Sequence, residues 1–149
     1  MNPAQVLDLI PQKEPFRFIN TISFLDEERI ETSYRFRDDE YFYRGHFPGK
    51  PLTPGVILIE TMAQAGVVAL GLYLISLEIP PEEIPKYTTL FTDCQIEFNL
   101  PVLPGQLISV KGQKMFWRRM KIRSKVQMFL ENGDLVAEGI VSGMGIRHE

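Results

Sequence analysis

The 149-residue sequence predicts an α+β domain in which one long apolar helix is wrapped by a single curved antiparallel sheet. Three observations carry this. Residues 55–77 form an almost unbroken apolar run between Thr53-Pro54 and the Pro80-Pro81 pair. Four long strand-like segments follow, at 87–98, 106–117, 118–130 and 135–146. One face of the last reads Leu135, Ala137, Gly139, Val141, Gly143, Gly145, and such small side chains let another backbone lie close against a sheet.

In chain order, residues 4–10 suggest a short helix stopped by Pro11. Residues 16–25 and 29–36 read as strands, with Asp26-Glu27-Glu28 as the polar turn of a hairpin. Residues 37–54 lack periodicity but hold Gly45, Pro48, Gly49, Pro51 and Pro54, the composition of a loop with fixed backbone angles. Thr53 is the expected N-cap of the long helix and Pro54 suits its first turn. Leu103-Pro104-Gly105 makes a turn, and Asn132-Gly133 between two apolar runs is a strong hairpin signal. No repeat or linker interrupts the chain, so residues 1–149 are expected to form one domain.

Composition narrows the function. The hydrophobic share of 44% suffices for a core, and the net charge of −3 argues against general nucleic-acid binding. A lone cysteine, Cys94, forms neither an internal disulfide nor a thiolate metal cluster. The N-terminal residues show no secretory pattern, which favours a cytoplasmic protein. Residues 55–77 are long enough to cross a bilayer, but Glu60, Thr61 and Gln64 interrupt them and no basic flank marks either end. A buried core helix is the better reading, with no membrane span.

Two residues stand out chemically. Glu60 lies among Ile57, Leu58, Ile59, Met62 and Ala63, where a carboxylate must be paired, face a wet cleft or be partly protonated. Gln64, one turn on, lies on the same helix face and can orient it. Left to composition, a surface carboxylate or a subunit contact explains Glu60 equally well. His46 sits in Arg44-Gly45-His46-Phe47-Pro48-Gly49, and a rigid loop is what a proton-transferring imidazole needs. A lone loop histidine is more often structural, and His148 has no assigned role.

The stretch from Gly45 through Val56, Gly-His-Phe-Pro-Gly-Lys-Pro-Leu-Thr-Pro-Gly-Val, continues into Leu58-Ile59-Glu60-Thr61-Met62-Ala63-Gln64. It resembles the signature of FabZ-type 3-hydroxyacyl-[acyl-carrier-protein] dehydratases, including the 14-position spacing from His46 to Glu60. Ile10-Pro11 through Pro15-Phe16 and Phe98 with Pro101-Val102-Leu103-Pro104-Gly105 extend the likeness over nearly the whole chain. The resemblance implies a hot-dog fold, a homodimer with further assembly to a trimer of dimers, and a site between subunits. His46 of one chain would there face Glu60 of the other as the catalytic pair. Glutamate at 60, where FabA-type relatives carry aspartate, implies dehydration without isomerisation.

For substrate binding, the N–H groups of Gly55 and Val56 at the helix start are candidates for the thioester oxygen, with Phe47 and Gln64 beside them. No metal and no organic cofactor are expected. Phe42, Phe47, Phe91, Phe98, Ile57 and Met62 are candidates for an acyl tunnel, though each is more simply core. Strict alternation puts Arg119, Lys121, Arg123 and Lys125 on one strand face. An exposed basic face is the plain reading, and a docking patch for the acidic acyl carrier protein is the functional one. Gln12, Asn20, Glu97 and Gln106 depart from the family pattern and point toward a specialised, polyketide-like pathway. A hot-dog thioesterase and a non-catalytic acyl-binding or partner subunit are the alternatives.

Overall fold

The computed structural model describes residues 1–148. Helix α1 (Pro3–Leu9) opens on a capping box: Asn2 Oδ1 accepts the Gln5 N–H and Gln5 Oε1 accepts the Asn2 N–H. Strands β1 (Thr21–Leu25) and β2 (Arg29–Arg35) form a hairpin whose turn closes on Asp26 Oδ1, which takes the N–H groups of Glu28 and Arg29 at 2.8 Å. The long helix α2 spans Gly55–Ser76. Strands β3 (Tyr87–Phe98), β4 (Leu107–Arg118), β5 (Lys121–Leu130) and β6 (Leu135–Arg147) complete a six-stranded sheet ordered β1-β2-β4-β5-β6-β3. Every pairing is antiparallel, so the expected helix-in-sheet, hot-dog arrangement is the one observed.

Helix α2 is long and apolar enough to cross a membrane, but it is mostly buried in the sheet's concave face. It packs tightly against the sheet at Gly66. A Cβ there would stand 2.7 Å from Val126 Cγ1 and 3.3 Å from Ser124 Cβ, and the Cβ that Gly112 lacks would stand 3.3 Å from Gly66 Cα. The helix winds wider over Gln64–Ala69, a π-turn. Buried Ser124 donates to the Gly66 carbonyl at 2.6 Å, giving that oxygen a partner. Gly66→Ala is expected to destabilise the fold by about 1–3 kcal/mol through overpacking, read as a lower urea midpoint at unchanged slope.

Four local expectations are corrected. Residues 16–20 do not join the first strand, because the Phe18 N–H donates to the Gln64 side chain instead of a neighbouring strand. Thr53 does not cap α2. Its hydroxyl is buried against the Tyr43 hydroxyl at 2.7 Å, and Pro54 holds the N-cap position without a side-chain bond. Residues 118–120 do not continue into β5. Arg119 and Met120 adopt φ of 52° and 64°, the two-residue turn that twisted hairpins favour. The small-residue face of β6 meets the helix at Gly143, which lies against Val67, while Gly139 faces β3 and Gly145 faces Met120.

Three of the departures from the family pattern have local partners or the lack of one. Asn20 Oδ1 accepts the Arg35 N–H at 2.7 Å, bridging the open end of the β1–β2 hairpin, and Gln106 Oε1 accepts the Leu103 N–H at 2.8 Å, closing a turn. Gln12 Oε1 is buried without a partner.

Candidate active site

The loop before α2 is tied to its own ends. A 3-10 turn, Tyr41–Arg44, delivers His46, whose N–H donates to the Phe42 carbonyl at 3.1 Å. The Leu52 N–H returns to the His46 carbonyl at 2.9 Å, and Phe47 and Lys50 exchange backbone bonds. Gly49 makes that reversal with φ +74°, a conformation open to glycine. Tyr43 is buried beneath the loop; desolvation pushes its phenol up to about 12, so it stays a neutral partner for Thr53.

His46 is half-buried and its ring stacks on Phe47, centroids 4.1 Å apart. Its Nδ1 lies 2.8 Å from the Leu52 carbonyl. A carbonyl oxygen only accepts, so Nδ1 carries the proton and donates it. In the neutral ring Nε2 is then the free basic nitrogen.

On α2, Glu60 is half-buried among apolar neighbours, and its Oε2 accepts a bond from Gln64 Nε2 at 2.9 Å. Burial pushes its carboxyl above the usual range, and the Gln64 bond pulls partly the other way. Gln64 is fully buried: its amide also donates to the Phe16 carbonyl and accepts from the Phe18 N–H, both at 2.8 Å. No polar atom of Gln64 is left for a ligand. It was expected among the substrate-binding residues, but its geometry is that of a brace for Glu60. The brace also joins α2 to the segment entering β1.

The first backbone bonds of α2 run from the Ile57 and Leu58 N–H groups to the Pro54 carbonyl. The N–H groups of Gly55 and Val56 therefore lack partners inside the helix, with the positive end of its dipole behind them. Gly55 is pressed by the Phe98 ring, which a Cβ would meet at 3.3 Å. Val56 and Phe47 are 72% and 51% exposed.

Among the described residues His46 and Glu60 share no hydrogen bond within one chain. Of the acyl-tunnel candidates, Met62 and Ile57 are core, Phe42 packs in a cluster with Phe18 and Phe36, and Phe47, Phe91 and Phe98 are exposed. Lys121, Arg123 and Lys125 point outward from β5, while Arg119 sits in the β4–β5 turn and off that face. None of the four forms an ion pair among the described residues. The Leu52 carbonyl and the Phe16–Phe18 backbone escaped sequence reading, since backbone partners leave no mark in residue types.

Known proteins resemble this chain over most of its length. The 3-hydroxyacyl-[acyl-carrier-protein] dehydratase FabZ of Caldicellulosiruptor saccharolyticus is 28% identical over 138 residues, covering 91% of this chain and 92% of that protein. FabZ of Chlamydia trachomatis serovar D is 29% identical over 147 residues, covering 97% and 92%. Among solved structures, the dehydratase heterocomplex ApeI:P of Xenorhabdus doucetiae aligns with a TM-score of 0.74 at 12% identity, over 99% of this chain and 93% of that one. A Haemophilus influenzae thioesterase aligns at 0.59 and 16% identity, over 85% and 78%, so the fold by itself does not separate the two chemistries. The FabA-like domain family matches residues 10–141, taking in the histidine loop, the glutamate helix, strands β1 to β5 and the first half of β6, and the chain belongs to that FabA-like family.

Proposed function

We propose that this chain is a 3-hydroxyacyl-[acyl-carrier-protein] dehydratase, a hydro-lyase that forms trans-2-enoyl thioesters in fatty-acid or related polyketide-like biosynthesis. One observation carries the reading: each proton-handling group has one atom tied down and one left over. His46 Nδ1 is held by Leu52, leaving Nε2, and Glu60 Oε2 is held by Gln64, leaving Oε1. Residues 1–149 act as one domain.

The elimination divides between them. His46 Nε2 removes the C2 proton, and the electron pair moves toward the thioester carbonyl. The N–H groups of Gly55 and Val56 hold that oxygen as negative charge builds on it. Glu60, whose carboxyl burial raises above the usual range, protonates the C3 hydroxyl, which leaves as water. Return of the proton from His46 to Glu60 through water resets the pair. Phe47 and the apolar helix start, exposed on one chain, exclude bulk solvent once the second subunit covers them. The step is carried by side chains and backbone of this chain, without a resident metal or organic cofactor.

By the likeness to FabZ proteins, His46 and Glu60 work as a pair across a homodimer, with assembly into a trimer of dimers. Strand β3 supports this: it is an edge strand of twelve residues with Leu90, Phe91 and Phe98 exposed, a surface that proteins ordinarily cover. The carrier is acyl carrier protein, and the setting is cytoplasmic. The outward Lys121, Arg123 and Lys125 form its docking face, with Arg119 at the margin. Reversing charge at Lys121 and Arg123 is expected to lower kcat/KM on carrier-bound substrate at least tenfold, and on a small thioester mimic less than twofold. Equal losses on both substrates remove the docking role.

The deciding assay incubates the protein with a 3-hydroxyacyl thioester and follows enoyl absorbance and free thiol together. Enoyl product is expected. Free thiol alone establishes a thioesterase, and neither product establishes a binding subunit.

A further inference from the structure

Glu40 stands six positions before His46 and is 1% exposed. Among the described residues it is the one fully buried side chain with a formal charge. The elimination described above makes no use of it. Moving a carboxylate out of water is costly, and an apolar side chain in its place is often more stable, so what such a group offers is the geometry its directed bonds impose. Glu40 Oε2 accepts the Tyr34 hydroxyl at 2.5 Å and the Arg37 N–H at 3.2 Å, and Oε1 accepts Arg37 Nη2 at 3.3 Å. Desolvation and the bond to Glu40 push the Tyr34 phenol up, so it stays the donor.

We propose that Glu40 is a positioning residue for His46, a buried carboxylate that fixes the turn presenting the imidazole; the inference rests on the dehydratase reading above. The connection runs through adjoining backbone bonds. Glu40 holds the N-cap position of the 3-10 turn Tyr41–Arg44, and its carbonyl accepts the Tyr43 N–H at 3.1 Å. The Phe42 carbonyl then accepts the N–H groups of Gly45 and His46. Tyr34 belongs to β2, so its hydroxyl ties the entry of the loop to the sheet through Glu40. The exit is tied separately, by the Tyr43–Thr53 bond and by the Thr53 N–H on the Val102 carbonyl at 3.0 Å. His46 lies between these two fixed ends.

Packing holds the turn down without setting its register. The Phe42 ring sits against Phe18 and Phe36, with centroids 6.2 and 6.4 Å away, and both of those pack on Tyr34. Apolar burial is non-directional, whereas hydrogen bonds fix distance and angle. A general base needs that precision, since a misplacement of about 1 Å can cost about 10²-fold in rate. The bond from Nδ1 to the Leu52 carbonyl selects the tautomer, but Leu52 is part of the same loop and moves with it. The Glu40–Tyr34 bond is what places the loop's entry on the sheet. Glutamine at 40 could keep its oxygen toward Tyr34 and the Arg37 N–H, but its NH2 would then meet Arg37 Nη2, donor against donor.

Two readouts test this on Glu40→Gln and on the milder Tyr34→Phe, which removes one bond and leaves the ion pair. In Glu40→Gln kcat is expected to fall about 10- to 100-fold, and less in Tyr34→Phe, with KM within about twofold, because neither side chain touches substrate. The ring nitrogens of His46 are followed by heteronuclear NMR with the ring neutral; His148 is the one other histidine. Wild type is expected to show a protonated Nδ1 and a bare Nε2, and Glu40→Gln a mixture of both tautomers. Asp26→Ala, which loosens the opposite end of the β1–β2 hairpin, is the control. It should lower the melting temperature and leave kcat and the His46 signals alone. A folded Glu40→Gln with wild-type kcat or wild-type His46 signals overturns the proposal, as does an equal response in Asp26→Ala. Should Glu40→Gln not fold, Tyr34→Phe decides by the same two readouts. If wild type forms no enoyl product, the dehydratase reading fails by itself, and the His46 signals still show whether Glu40 sets the ring.

Discussion

Replacing Glu60 by glutamine is expected to cut the dehydration rate by about 10²–10⁴-fold, the usual contribution of a positioned general acid. The amide keeps the shape of the carboxyl and has no proton to give. The loss should lie in kcat, with KM changed little, because the proton transfer is made in the transition state. Burial raises the Glu60 carboxyl, which sets the sign of two pH effects. Activity needs the protonated acid, so the wild-type rate falls as pH rises through the raised folded-state value. That limb should be missing from whatever rate Glu60→Gln retains. Stability carries the same sign. A carboxyl raised on folding contributes stability that is fully present below its unfolded value and is lost as pH rises through the folded one. Glu60→Gln should therefore melt at a higher temperature than wild type above that window, and the difference should shrink in acid. A variant that loses activity and stability equally at every pH would make Glu60 a structural residue.

His46→Ala is expected to lower the rate by a similar factor of about 10²–10⁴ while leaving the melting temperature within a few degrees. The imidazole is half-buried, and the loop keeps its Leu52–His46, Phe47–Lys50 and Tyr43–Thr53 bonds when the ring is removed. Mixing the two inactive proteins gives the sharper result. If His46 of one subunit works with Glu60 of the other, a hybrid dimer of His46→Ala and Glu60→Gln chains contains one intact site. Random exchange of subunits should then restore roughly a quarter of wild-type activity, as expected for a two-fold dimer. No recovery after demonstrated exchange would place both groups within one chain and defeat the shared-site mechanism.

The loop and helix that carry these groups were legible for different reasons. Pro48, Gly49, Pro51 and Pro54 announce a fixed loop because proline and glycine act on their own backbone angles. Glu60 and Gln64 could be paired from helical periodicity, and the structure has them bonded at 2.9 Å. The orientation of His46 was not legible, since it depends on a carbonyl that every residue possesses. Thr53 misled for a related reason: its hydroxyl suits a cap, but the Tyr43 hydroxyl is a nearer partner in the folded chain. Arg119 was placed on a strand by alternation, whereas the twist of the β4–β5 hairpin put it in the turn.

The sequence by itself determined the long apolar helix, the antiparallel strands around it and the two side chains set 14 positions apart, because these rest on local propensity, periodicity and residue chemistry. Only the tertiary structure decided that Gln64 is sealed behind Glu60, that the Gly55 and Val56 N–H groups are left uncapped, and that one buried glycine marks a packed contact while another marks an empty one. Each of those depends on which distant atoms arrive at a given point, Phe16 and Phe18 at Gln64, Val126 and Ser124 at Gly66, none at Gly71. Residue type states what a position can bear; only the packed chain states what stands next to it.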